Sequence, residues 1–361
     1  MNIKCKKFFV FILSVSLVFN ACLVFSFAED SENAEYCATG LVLDDWETIE
    51  EHLEPESNIS TYATLPSSVD NTSSFPTPGN QGNQGSCTAW AVGYSLKTAQ
   101  EIAKRGWSKT SSSHQFSPAY IYNQLNDGSG GGIAISAAMD LVVNKGVCSL
   151  VYFPYDESDY TTSPNSLQNA AAALYKASSW TTVTGITNIK QRIANGDGVV
   201  VGIEVYPDFD NISSTNQIYD TISGTSRGKH AICLIGYDDS KGTGAFKFIN
   251  SWGTSKGIGG YGWISYDLLS DSRVNMYGVS VGYVMNYSST DNYVLGDLDS
   301  SGSVTATDAR LALRYAGSLE TLTHAQQALA DVDGDATVST ADAQLILQYA
   351  SGTLSQFPLY D

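Results

Sequence analysis

Three short segments carry side chains suited to making and breaking an acyl bond. They are Gln81-Gly82-Asn83-Gln84-Gly85-Ser86-Cys87-Thr88-Ala89-Trp90, Gly228-Lys229-His230-Ala231 and Asn250-Ser251-Trp252-Gly253. A cysteine is a useful nucleophile near neutral pH only as its thiolate. A helix starting at Cys87 would set the positive end of its dipole beneath the sulfur. An imidazole, His230, would take the thiol proton and later give it to the leaving amine. The amide of Asn250 would hold the ring in one tautomer without adding charge. Acyl transfer also builds an oxyanion, for which the Cys87 backbone N–H and the Gln81 side chain are candidate donors. The remaining histidines, His52, His114 and His324, lack such company and are expected to face solvent.

A second chemistry lies near the C-terminus, where twelve acidic-rich residues recur at an offset of 34, Asp297 to Asp308 and Asp331 to Asp342. Calcium takes roughly six to eight oxygens, and a twelve-residue loop supplies them from alternate positions and its last residue. The first loop offers Asp297, Asp299, Ser301, the Ser303 carbonyl, Thr305 and Asp308. The second offers Asp331, Asp333, Asp335, the Thr337 carbonyl, Ser339 and Asp342. Two Ca2+ ions are therefore expected. Gly302 permits the sharp turn of the first loop, and Ala336 stands in its place in the second, which is expected to be the weaker site.

The elements that position these groups are legible from pattern. Ala91, Ser95, Ala99 and Ile102 recur at helical spacing after Cys87, and Gly106 is a plausible stop. Ser117-Pro118 reads as a cap followed by a first-turn proline. A third helix is expected over residues 135–144, followed by strands at 199–205, 231–236, 246–250 and 263–266. Helices first and strands later predict an α+β domain over residues 65–286. A polar linker at 287–293 leads to the loops, each followed by a helix and neither preceded by a good one.

Bulk properties narrow the partners. The chain has 361 residues and a formal charge of −18, with 37 acidic against 19 basic residues. That field repels nucleic acid and anionic membrane surfaces. Lys4, Lys6 and Lys7 precede an apolar run at residues 8–19, then small residues Ser26 and Ala28. This predicts a secretory signal over 1–28, and with no second long apolar stretch the mature chain is expected to be extracellular, without a membrane span. Cys5 and Cys22 would leave with the signal, and Cys37, Cys87, Cys148 and Cys233 would remain, too few for a disulfide scaffold. A Cys37–Cys148 pairing stays open. Residues 29–64 read as a short propeptide or an N-terminal extension.

The order of Gln81, Cys87, His230-Ala231 and Asn250-Ser251-Trp252-Gly253 resembles the papain-like cysteine peptidases. His230 lies 143 and Asn250 163 residues beyond Cys87, and Gly131-Gly132, Tyr152-Phe153-Pro154-Tyr155 and Gly259-Gly260-Tyr261-Gly262 add to the match. The resemblance implies a two-lobed fold, a helical lobe facing a β-rich lobe, and a peptidase needing no cofactor. It makes Cys87 the nucleophile, His230 the base, Asn250 the orienting group and Gln81 the oxyanion donor. It also makes Gly131 and Gly132 the edge that holds protein or peptide substrate, and Trp252 the aromatic cover of the His–Asn contact. Gln84 stands where the family has a cysteine, Thr88 where it has tryptophan, and the N-terminal segment is shorter than the long helical propeptide of many relatives. Residues 294–358 resemble a type I dockerin, a small all-α calcium-binding module that binds cohesin modules of cellulosome-type scaffolds. In relatives the partner contacts lie near Ala306, Thr307, Thr340 and Ala341. The rival reading is a catalytically silent peptide-binding or protective protein docked to the same scaffold.

Overall fold

The computed structural model describes residues 37–55, 64–287 and 293–360. The expected signal at 1–28 and the middle of the linker at 287–293 lie outside the described residues. The chain begins with strand β1 (Leu41–Val42), helix α1 (Trp46–Glu51) and strand β2 (Ser68–Asp70). Asp45 caps α1 by accepting the Thr48 N–H at 2.8 Å.

Cys87 heads a long helical run of three parts: α2 (Cys87–Ala89), a π-helical stretch (Trp90–Lys97) and α3 (Thr98–Arg105). Gly106 ends it at φ 72°, a left-handed backbone that glycine adopts without penalty. The π stretch leaves no mark in the apolar spacing. It carries Lys97 fully buried, paired at 2.5 Å with Glu101, which also binds Arg105 at 2.6 Å. Helix α4 (Pro118–Leu125) starts where Ser117 accepts the Tyr120 N–H at 3.2 Å. Strand β3 (Ile133–Ala134) then leads into α5 (Ile135–Asn144), and α6 (Ser166–Ala173) opens with a reciprocal Asn165–Gln168 capping box. Val92, Leu96, Phe116, Tyr120, Ile121, Met139 and Val142 close the core of this helical lobe.

The second lobe is a twisted sheet with short helices at its margins. Its elements are β4 (Ser179–Thr184), α7 (Ile186–Ala194), β5 (Val199–Val205), α8 (Pro207–Asp210), β6 (Ile218–Tyr219), β7 (Gly228–Asp238), β8 (Ala245–Ile249), β9 (Tyr261–Ser265), α9 (Tyr266–Ser270), α10 (Ser272–Asn275) and β10 (Val281–Asn286). The strand order is β4–β10–β5–β7–β8–β9–β6, with β2 also paired to β7. Strand β7 is covered on both faces, which is why its sequence is a nearly unbroken apolar run. His230 sits in it opposite Ile203 of β5, and Cys233 opposite Ile249 of β8 sets Asn250 just past the end of β8.

The C-terminal region is helical: α11 (Ala306–Ala316), α12 (His324–Ala330) and α13 (Thr340–Ala350), with α11 and α13 packed together. A helix does precede the second loop, contrary to expectation. Helix α12 is short, opens with a Thr323–Gln326 capping box, and buries only alanines, Ala328 and Ala330. Small residues give little amphipathic signal, and Ala328 packs into the helical-lobe core through contact of α12 with α6. His114 is a second correction, being 3% exposed. Its Nε2 bonds the Leu359 carbonyl at 2.9 Å and its ring stacks on Trp107, so the C-terminal turn covers it. His52 stacks on Trp180, and His324 is exposed as expected. Among the described residues no helix is long and apolar enough to cross a membrane.

Candidate active site

The four side chains singled out in the sequence gather where α2 meets β7 and the ends of β8, and Gln81, Cys87 and His230 are fully buried there. The His230–Asn250 contact fixes the chemistry of the ring. His230 Nε2 lies 2.8 Å from Asn250 Oδ1, and the Ser251 N–H donates to the same oxygen at 2.8 Å. That second donor identifies the atom as the amide oxygen, so Nε2 carries the proton. His230 Nδ1 is buried without a hydrogen-bond partner, which leaves its lone pair free to act as base. The Trp252 ring lies 4.7 Å from the imidazole and screens it from water.

Gln81 is oriented by similar means. Its Oε1 accepts the Ser251 hydroxyl at 2.6 Å, and its Nε2 donates to the carbonyls of Gln84 at 2.8 Å and Ala38 at 3.2 Å. The backbone amides of Ala231 and Gly40 face the Cys87 sulfur and favour the anion, but burial outweighs them and pushes the thiol up from its ordinary value. Burial also holds His230 down at about 4, against the help of Asn250 and in line with the nearby Arg227. In this enclosed form burial thus disfavours charge on both the thiol and the imidazole.

What encloses it is the chain itself. The Gly40 N–H donates to the Lys229 carbonyl at 3.1 Å, and Ile133 donates to the Gly40 carbonyl at 3.0 Å. Strand β1 pairs parallel with β3, directly after Gly131-Gly132, so the edge expected to hold substrate is occupied by residues 40–42. A Cβ on Gly40 would lie 2.0 Å from the Gly85 carbonyl oxygen, and one on Gly132 2.1 Å from the Gly40 oxygen. Trp252 Nε1 donates to the Ala38 carbonyl at 3.2 Å. The segment is anchored beyond the cleft by Asp44, which accepts the Tyr283 hydroxyl at 2.7 Å and binds the Ser136 amide at 3.2 Å. Further on, Glu54 pairs with Arg192 at 2.9 Å. A cavity of about 400 Å³ lined by Leu96, Gln100, Lys104 and Tyr287 includes none of the four site residues.

Sequence reasoning passed over several supports. Ser251 orients both amides, and its place inside the Asn250-Ser251-Trp252-Gly253 motif was the available signal. Gln84, standing where relatives have a half-cystine, bonds the carbonyls of Glu157 at 3.2 Å and Asp159 at 3.4 Å, so hydrogen bonds tie that loop. Thr88 bonds the Ile133 carbonyl at 3.0 Å and steadies the β3 edge. Cys87, Cys148 and Cys233 are free thiols, so the Cys37–Cys148 pairing left open above is not formed.

The acidic loops form as loops. Carboxylate oxygens of Asp297, Asp299 and Asp308 lie within 4.8 Å of one another, as do those of Asp331, Asp333 and Asp335. Asp308 and Asp342 are buried and close capping boxes on α11 and α13. None of Asp297, Asp308, Asp331 and Asp342, all buried, has an ion-pair partner among the described residues. Clustered, dehydrated carboxylates with no basic neighbour fit a hard divalent cation.

An enclosed thiol, an oriented imidazole and a side-chain amide donor between a helical and a β-rich lobe define a cysteine-peptidase architecture. Comparison with known proteins agrees. The profile of the papain family cysteine proteases matches residues 65–282, and that of the dockerin type I domain matches residues 295–350. The chain belongs to the papain family of cysteine proteases and carries a C-terminal type I dockerin domain, a calcium-binding module. It is 26% identical to ananain of Ananas comosus over 58% of this chain and 58% of that protein. To cathepsin K of Mus musculus it is 27% identical over 60% and 63%. A peptidase C1-like protein of Acanthamoeba polyphaga mimivirus is 26% identical over 54% of this chain and 66% of its own length. The match thus spans between 58% and 66% of these relatives. In fold, the chain is similar to xylellain of Xylella fastidiosa, with TM-score 0.57 and 24% identity over 70% of this chain and 97% of that one. A bromelain protease of Ananas comosus aligns with TM-score 0.51 and 20% identity over 62% and 100%.

Proposed function

We propose that this chain is an exported cysteine endopeptidase, kept closed by its own residues 37–44 and tethered through its dockerin to a cohesin-bearing extracellular scaffold of the cellulosome type. The observation that carries the enzymatic part is the fixed imidazole. His230 is held by Asn250 in the tautomer that frees Nδ1, in the same enclosed site as the Cys87 thiol. Once the covering segment leaves, the Cys87 thiol gives its proton to Nδ1 and the sulfur attacks the substrate carbonyl carbon. The carbonyl electron pair moves onto oxygen, where Gln81 Nε2 and the Cys87 N–H receive it. Collapse expels the amine, which takes the proton from His230 and leaves an acyl-thioester. Water, deprotonated by His230, attacks the thioester, releases the acid and restores the thiol. Gly131 and Gly132 hold the substrate backbone in place of β1.

Latency is supported by what residues 38–42 occupy. The Ala38 carbonyl takes the Gln81 hydrogen bond intended for an oxyanion, and β1 takes the substrate edge. Docking is assigned to the dockerin, whose Ala306, Thr307, Thr340 and Ala341 are exposed in related positions of α11 and α13. Two calcium ions are assigned to the loops that begin at Asp297 and Asp331. The test is to remove residues 37–44 by limited proteolysis or truncation, then measure casein hydrolysis and labelling of Cys87 by an epoxide thiol probe. Hydrolysis that disappears in Cys87→Ala supports the assignment. An opened cleft that binds peptide, leaves Cys87 unlabelled and cleaves nothing would establish the silent peptide-binding protein instead.

A further inference from the structure

The two calcium loops are alike in sequence but not in surroundings. In the first, Asp297 Oδ2 accepts the Gly302 N–H at 2.7 Å and Oδ1 accepts the Ser301 N–H at 3.0 Å. In the second, Asp331 Oδ2 accepts the Ala336 N–H at 3.0 Å, and Oδ1 accepts the Gly334 and Asp335 N–H groups at 3.0 and 3.1 Å. Asp331 Oδ2 also takes a further bond at 2.5 Å from the hydroxyl of Tyr152, 179 residues earlier in the peptidase domain. Asp297 receives no such bond from the peptidase among the described residues.

The surrounding contact is built to hold that bond. Helix α12, which delivers Asp331, packs on α6, and the Leu359 N–H donates to the Val332 carbonyl at 3.1 Å, clasping the C-terminal turn to the second loop. The same turn receives His114 at the Leu359 carbonyl, and Arg105 lies 5.2 Å from the Tyr360 ring. The second loop also has the greater need of support. Ala336 sits at φ 66°, a left-handed backbone that Gly302 in the first loop takes at φ 86° without strain.

We propose that Tyr152 is a positioning residue for the second calcium loop, so that the peptidase domain and that loop act as one coupled unit. The hydroxyl fixes the plane of the Asp331 carboxylate from outside the metal's own ligands, as outer hydrogen bonds do for ligands generally. By reciprocity, calcium in the second loop tightens the dockerin against the helical lobe as much as the lobe favours calcium there. The first loop stands outside this coupling. The inference rests on the calcium-loop reading above and adds the residue that reaches into one loop only.

The experiment uses the full chain. Calcium is titrated by calorimetry into the Cys87→Ala protein, to prevent self-cleavage, with and without Tyr152→Phe. Asp297→Asn is added in a second pair to isolate the second loop. The expected result is a fall of about tenfold or more in second-loop affinity on loss of the hydroxyl, the scale for removing an outer-sphere partner. First-loop affinity stays unchanged. Hydrogen exchange supplies an independent readout: calcium should protect residues 357–360 in the parent and less so in Tyr152→Phe. Two sites whose affinities do not change with Tyr152→Phe would overturn the coupling while leaving the calcium loops intact. Equal weakening of both sites would reduce Tyr152 to general packing and also overturn it. No calcium uptake in any variant would remove the calcium reading itself. Should Tyr152→Phe fold poorly, Tyr152→Phe with Ala336→Gly relieves the loop strain, and the same first-loop against second-loop comparison decides.

Discussion

At Cys87 and His230, the pair proposed above to exchange a proton, burial disfavours the charged form of both groups. The pH dependence of the closed form follows. Freed from cover, the imidazole binds a proton below its ordinary value of 6.5, whereas the enclosed ring, close to Asn250, Trp252 and Arg227, binds one only near 4. The open state therefore takes up more protons between those values, and the closed state is at full strength above about 6.5 and weakens as the pH falls toward 4. The thiol acts on the opposite edge, weakening the closed form as the pH rises past its ordinary 9.0. Exchange of the Ile133 amide, which donates to Gly40, corrected for its intrinsic rate, should accelerate on acidification from pH 7 to 4.5. Protection that is flat across that range would dissociate His230 from the closure. In the opened enzyme, Gln81→Ala should lower kcat by roughly tenfold to a thousandfold, the scale for one oxyanion donor. Asn250→Ala should be milder than His230→Ala, because Asn250 only aims the base. Steady-state kinetics on one peptide substrate ranks the three.

Elements carry the latency and the difference between the loops. The covering strand passes Gly85 and Gly132 so closely that only a glycine fits at position 40. Gly40→Val must push residues 38–42 out of the cleft, and the epoxide probe should label Cys87 at least about tenfold faster than in the parent. Equal labelling would mean that the strand is not the barrier. In the dockerin, a left-handed alanine costs roughly 1 kcal/mol relative to glycine. Ala336→Gly should therefore raise second-loop calcium affinity several-fold without touching the first loop, read by the same calorimetry.

Across the whole molecule, the Tyr152 contact ties the second loop to the packing of the helical lobe, while none of the proposed calcium ligands is among Gln81, Cys87, His230 and Asn250. On the calcium reading proposed above, the buried carboxylates of each loop, Asp297 with Asp308 and Asp331 with Asp342, repel one another without a cation, and metal binding becomes part of the folding free energy of this domain. A chelator should remove helical circular dichroism equivalent to α11–α13 and abolish cohesin binding, while the opened peptidase keeps its activity. Helicity and cohesin binding that both persist in excess chelator would contradict the dockerin assignment. Cys87, Cys148 and Cys233 are free thiols, so no bridge ties the nucleophile's loop or joins Cys148 to Cys37, and thermal melts with and without mild reductant should coincide.

The candidate catalytic set and the candidate calcium loops were already legible in the sequence, because both are local: a residue type at a helix start, an amide in a four-residue motif, oxygens at alternate loop positions. The sequence also determined α3's stop at Gly106, the bounds of α5 and β5, and the α+β order, since burial of one helix face imposes a period on the chain and burial of a whole strand an apolar run. Tertiary structure alone decided the rest. Residues 37–44 carry no periodicity that marks them as an inhibitor, and their role arises from passing between Gly85, Gly132 and Lys229, which only the folded lobes bring together. Helix α12 and His114 were misjudged because their burial is tertiary: α12 packs on α6, and His114 is covered by a C-terminal turn more than two hundred residues away. Likewise, nothing near Tyr152 in sequence points to Asp331, because a hydrogen bond spanning 179 residues exists only once two domains have chosen how to pack.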